Sequence, residues 1–236
     1  MRSCLIRLLM AAAMVFALLW FGLPFGASWL ATTALNSAGF TGTNTKVEVS
    51  ANLPPRILLG HADEVHLMST QVGIADLHAA TIDLTLGDVE LIDRKIATVS
   101  GTLTGVKVAA PNGDPFTIDL ATIEGRAVAA TAILTTSNAQ LVQLAETQFE
   151  GATGIASTVT LAAPDGLTVT VRGKSEPGRL VVGDGGILLV PRSGSLPTVP
   201  LIETGAGNPF HFTSIAVGAT TVTLVGTIDV QSLLGL

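Results

Sequence analysis

The sequence has one cysteine and no tyrosine, and only 13% of its residues are charged and 4% aromatic. Each shortage excludes something. Cys4 alone can neither close an internal disulfide nor supply a multi-thiolate zinc or iron–sulfur site, so thiol chemistry is not the function. Basic residues are scarce where they would matter for nucleic acid. Of the 12 Lys and Arg, Arg2 and Arg7 precede a charge-free stretch over residues 8–45, which leaves ten against 18 Asp and Glu in the rest, net −8. Binders of nucleic acid present a clustered basic face, so nucleic acid is excluded as the expected partner.

What the chain has in abundance is apolar side chains, 48% of 236 residues, enough for a sizeable core. They fall into two textures. Residues 8–23 (LLMAAAMVFALLWFGL) follow a short basic opening, the form of a signal peptide or a membrane anchor. Sixteen residues fall short of the roughly 20 that span a bilayer, but the uncharged stretch continues through Trp29. Arg2 and Arg7 hold the N-terminus in the cytoplasm, so the remainder is expected outside, anchored to the cytoplasmic membrane or secreted. Residues 1–30 therefore read as signal peptide or anchor and 31–45 as a connecting helix or linker. Residues 46–236 read as one β-rich domain.

Within that domain Thr, Val, Ile and Leu alternate over short stretches bounded by Gly, Pro, Asn and Asp, the pattern of half-buried antiparallel strands. Ile82, Leu84 and Leu86 share one face, and after Gly87-Asp88 the apolar phase moves to Val89 and Leu91. A bulge or tight turn is expected there, with a bend in the sheet. About nine or ten strands are expected. One helix is predicted over residues 138–149, with Ser137 as N-cap, Gln140 as its capping-box partner and Gly151 at the C-terminal end; its apolar stripe is Leu141, Leu144, Ala145 and Phe149. Residues 191–209, rich in proline and glycine, read as a flexible flap. The fold class is α+β, a mostly antiparallel curved sheet wrapped on one or two helices, with an apolar helix at the N-terminus.

Catalytic chemistry is hard to find. His61 and His66 bracket Asp63 and Glu64, but the H-x4-H spacing shares neither a helix face nor, on a regular strand, a sheet face, so no metal site is assigned. Ser193 and Ser195 lack the strand–turn–helix setting that activates a nucleophile. Gly183-Asp184-Gly185-Gly186 has no Lys-Ser/Thr after it and reads as a hairpin turn rather than a phosphate cradle. Asp76, Asp83, Asp88 and Asp93 sit among polar neighbours as solvent-facing charge. The chain is not expected to be an enzyme, and no catalytic residue, metal or cofactor is assigned.

Apolar surface is what remains. A curved sheet over a helix can enclose an elongated groove, where an acyl chain gains about 0.8 kcal/mol per buried CH2. The run Val47-Glu48-Val49, then Pro54-Pro55-Arg56-Ile57-Leu58-Leu59-Gly60 and Asp63-Glu64-Val65-His66-Leu67, resembles the opening of the LmeA-like phospholipid-binding family of bacterial cell-envelope proteins. The Leu-x-Leu-Gly-Asp-Val-x-Leu centre of residues 77–91 is similar to that family's next strands, and the likeness extends loosely over residues 45–230.

The resemblance implies a fold akin to tubular lipid-binding domains, an extracytoplasmic (periplasmic) location, phospholipid or a related envelope lipid as ligand, contact with the membrane, and a supporting role in envelope lipid or lipoglycan metabolism. Carried onto this chain, Pro54, Ile57, Leu58, Leu59 and Gly60 shape one groove end. Val65, Leu67, Ile82, Leu84 and Leu86 line the wall, and Leu141, Leu144 and Phe149 cover it from the helix. Arg56 stands beside the turn, where its planar fork suits a phosphate. The alternative is a non-enzymatic structural or interaction module of the envelope, with a filled core.

Overall fold

The computed structural model describes residues 40–52, 55–74, 77–90, 92–109, 115–203 and 210–233. The segment read as signal peptide or anchor lies outside them, as does Pro54. Among the described residues no helix is long and apolar enough to cross a membrane.

Thirteen strands are described, more than the nine or ten expected. They are β1 (Thr41–Ser50), β2 (His61–Ile74), β3 (Leu77–Glu90), β4 (Lys95–Ala109), β5 (Pro115–Arg126), β6 (Ala129–Ser137), β7 (Ser157–Ala162), β8 (Gly166–Val171), β9 (Lys174–Gly183), β10 (Gly186–Pro191), β11 (Val199–Ile202), β12 (Phe210–Val217) and β13 (Thr221–Ile228). Three helices accompany them: α1 (Pro55–Leu58) between β1 and β2, α2 (Asn138–Thr153) after β6, and α3 (Val230–Leu233) after β13. β1 starts five residues before the expected domain boundary, so residues 41–45 are strand and not linker. These residues are mostly polar and exposed, and a sheet edge accepts them because only one side of β1 pairs.

The strands form two antiparallel sheets. The larger has the order β1-β2-β3-β4-β5-β6-β13-β12 and is curled like half a barrel; the smaller has the order β11-β10-β9-β8-β7. Hairpin connections build almost all of it. The β9–β10 turn is the one expected at Gly183-Asp184-Gly185-Gly186, with Asp184 and Gly185 both at positive φ, 51° and 76°.

The curl has a local cause. On β2, buried or half-buried inner positions run Ala62, then Val65, Leu67 and Ser69, then Val72. On β3 they run Val89, then Leu86, Leu84 and Ile82, then Ala79, and on β4 Ile96, then Val99, Gly101 and Leu103, then Val106. Each strand changes phase twice, at positions that line up across the sheet.

The first crease passes through Asp63, Asp88 and Ala97, and the second through Gln71, Ala80 and Gly105. Asp88 takes φ 48°, Gln71 52° and Gly105 57°, left-handed values that reverse the alternation of side chains. Register is kept through both creases: Glu64↔Gly87 and Ala62↔Val89 flank Asp88, and Thr70↔Thr81 and Val72↔Ala79 flank Gln71. The change of phase expected at Gly87-Asp88 is therefore present, but without the inserted residue of a bulge. The outcome is a sheet that bends while its apolar residues stay on the inner face.

α2 is capped at Ser137, whose hydroxyl accepts from the Gln140 amide at 3.3 Å. Two expectations for it are corrected. The helix ends at Gly154, with φ 70°, and Gly151 is an ordinary helical residue. Gln140 does not close a capping box either, because its Oε1 accepts from the Thr117 amide of β5 at 3.0 Å. A tertiary donor outcompetes the local one.

The buried side of α2, Leu141, Leu144, Ala145, Gln148 and Phe149, packs against β5, β6 and β13 of the large sheet and β7 and β11 of the small one. Glu146 accepts the Val159 amide at 2.9 Å and ties the helix to β7. This is the main core, joined by Leu180, Ile187, Leu189, Leu201, Val222 and Leu224.

Candidate functional site: an apolar strip on the inner face

A second, smaller core lies at the far end of the large sheet. Val47, Val49, Ile57, Ala62, Val89, Ile96 and Ala127 are buried together, and the β1–β2, β3–β4 and β5–β6 connections meet over them. Between the two cores, on the panel bounded by the creases, the inner face of β2 and β3 carries Val65, Leu67, Leu84 and Leu86. All four are half-buried. Leu84 packs on the main core, Val65 on the small one, and Leu67 and Leu86 on both. These residues make an apolar strip joining two closed ends. Eight residues separate Asp63 from Gln71 along β2, about 26 Å at the rise of a strand.

The strip depends on Gly101. It faces Leu84 across the β3–β4 ladder at φ 146°, and a Cβ there would collide with the Asp83 carbonyl oxygen and lie 2.9 Å from the Leu84 side chain. The absence of a side chain lets Leu84 lie flat over β4.

Of the groove residues read from the sequence, Pro54 and the Leu58 side chain lie outside what is described, and the others divide into three groups. Val65, Leu67, Leu84 and Leu86 come together as described, with Ile82 more deeply buried on the same strand face. Leu141, Leu144 and Phe149 are buried between α2 and its two sheets, with no surface left on Leu141 or Phe149, and they belong to the filled core rather than to the cover of this strip. At the turn, Ile57 is buried in the small core, whereas Leu59 is 68% exposed. Gly60 adopts φ 81°, and a Cβ there would strike the Ile92 side chain. Arg56 reaches Asp63 at 3.0 Å, so its guanidinium already holds a carboxylate.

The polar groups considered for chemistry have other employment. His66 Nε2 lies 2.7 Å from Asp83 Oδ1 on adjacent strands, and among the described residues no three His, Cys, Asp or Glu side chains converge on a metal-sized site. Ser193 and Ser195 both donate their hydroxyls to the Glu176 carboxylate of β9, which also accepts the Ser193 amide at 3.1 Å. Those hydroxyls, with the backbone donors, hold Glu176 below the ordinary carboxylate range against a smaller opposing effect of burial. The cluster fastens the loop after β10, so residues 192–198 of the expected flap are pinned, and β11 within it is a regular strand. Only the spacing of an acid on one strand and a Ser-x-Ser in a later loop signals this, too weakly to be found in sequence.

No protein-family model, no curated protein and no solved structure matches the chain.

Proposed function

We propose that the protein is an extracytoplasmic phospholipid-binding protein of the bacterial envelope, LmeA-like in kind and non-enzymatic, that holds an acyl chain along the strip of Val65, Leu67, Leu84 and Leu86. The observation that carries this reading is the incomplete burial of four large apolar side chains on an inner sheet face, flanked at both ends by packed clusters. Covering them with methylenes contributes about 0.8 kcal/mol per CH2, and a chain of a dozen carbons needs no charged contact to bind.

Native mass spectrometry with lipid extraction tests this on the full chain. Phospholipid retained at a fixed ratio and lost in Leu84→Trp is the expected result. Equal lipid in both proteins places it away from the strip, and no lipid in either favours the interaction module; each outcome overturns the proposal.

A further inference from the structure

We propose that the end of the large sheet formed by the β1–β2, β3–β4 and β5–β6 connections docks on a phospholipid bilayer, placing the adjoining end of the apolar strip at the membrane. The inference rests on the lipid-binding reading, since it names the surface at which that strip meets its ligand. Three of the large apolar side chains that are most exposed lie here, one on each connection: Leu59 at 68%, Ile92 at 75% and Val128 at 46%. They share an end because the strands run as an antiparallel meander, and Gly60 touching Ile92 sets the first two side by side.

Each stands on an exposed turn. A fluid interface accepts separate apolar tips, whereas a protein partner would need matching hollows for all three. The tips are also held firmly, because Ile57, Val89, Ile96 and Ala127 immediately beneath them form the small core. The β5–β6 turn is fixed further: the Ala127 amide donates to Ala97 at 3.0 Å, and the Val230 amide donates to the Ala127 carbonyl at 2.7 Å.

Basic side chains also flank the tips. Arg56, Arg94, Lys95 and Arg126 lie on or beside these three connections, four of the ten basic residues after residue 45. The acids nearby are partly engaged. Asp63 binds Arg56, Asp93 lies 4.0 Å from Lys95, and Asp229 is held by the Ser232 amide and hydroxyl, while Glu64, Asp88, Glu90 and Glu124 also lie at or beside this edge, so the apolar tips and not a net positive charge carry the docking. Long basic side chains flanking apolar tips place their charges at headgroup level. Continuity supplies the last argument. Leu67 and Leu86 of the strip pack on the same small core that carries the tips, so strip and tips are joined through one apolar cluster.

The test uses the full chain in vesicles of phosphatidylcholine with phosphatidylglycerol. An environment-sensitive fluorophore is attached at Ile92→Cys in a Cys4→Ser background, with Lys107→Cys, exposed toward the other end of β4, as the control. The expected result is a blue shift at position 92 and loss of its emission to a nitroxide-bearing lipid, with position 107 remaining aqueous. Adding Leu59→Asp and Val128→Asp, both at exposed sites, should return position 92 to water. Emission at 92 that stays aqueous, or equal shifts at 92 and 107, overturns the docking. Lipid extraction from the same preparations separates the two proposals: a shifted probe without retained lipid sinks the strip and spares the docking, and retained lipid with an aqueous probe does the reverse.

Discussion

Leu134 on β6 and Leu84 on β3 point to the same inner face of one sheet, yet the first is buried and the second half-buried. The difference lies in what covers them. Over β5, β6 and β13 the helix α2 closes the face, with the smaller sheet packed on the helix and on β12, and Leu141 and Phe149 have no surface left. Over β2 and β3, among the described residues, leucines of equal hydrophobicity remain partly open between two packed clusters. Burial here follows topology and not residue type, which is why a leucine count cannot separate core from site.

The comparison breaks most decisively at Phe149. If the α2 side is a filled core, Phe149→Ala should destabilise the fold by about 3–5 kcal/mol, read by denaturant unfolding, through lost transfer energy and an unfilled cavity. A loss below about 1 kcal/mol would mean that this side is as open as the strip. Gly101 comes next, since it sits on the boundary. Gly101→Val forces a side chain into a backbone at φ 146° and into the Asp83 carbonyl, and should cost about 1–3 kcal/mol from backbone strain alone, seen as a lowered melting temperature. It should also push Leu84 off β4 and reduce lipid retention.

Leu84→Trp should move stability least of the three. Overpacking a filled core costs roughly 1–3 kcal/mol, whereas an indole laid into an open strip should cost less than that while displacing lipid. A melting temperature that falls as far as for Gly101→Val would show that the strip is closed and would erase the contrast between the two regions.

The sequence made one side of this contrast legible and blurred the other. Alternation at Ile82, Leu84 and Leu86, and the phase change at Asp88, are visible as letters, and so is the Ser137 cap. The helix stripe was equally visible, but periodicity says only that Leu141, Leu144 and Phe149 are buried, not against which sheet. β9 is faint as letters, because Lys174, Ser175, Glu176, Pro177 and Gly178 carry little alternation; it is held instead by its neighbours β8 and β10. The creases at Gln71 and Gly105 are faint for a different reason. A left-handed residue in mid-strand is fixed by the curvature of the whole sheet, and a lone glutamine does not announce it.

Glu176 gives the finest test, because it asks whether the closed side is fastened by polar groups as well as by packing. It is only 9% exposed, and the Ser193 and Ser195 hydroxyls favour its charged form, so its pKa in the fold lies below that of the unfolded chain. The sign follows by linkage: the unfolded chain takes up the proton first, so the stabilisation is complete above the ordinary glutamate range and is lost as pH falls through the lowered folded value. Glu176→Gln keeps the shape but removes the charge. Its melting temperature should lie below that of the wild type at neutral pH, and the gap should shrink on acidification below the ordinary glutamate range. A gap that stays constant with pH would mean that the serines bind a neutral group, and the loop over residues 192–198 would then owe its order to Val199 and Leu201, buried in β11 against the main core.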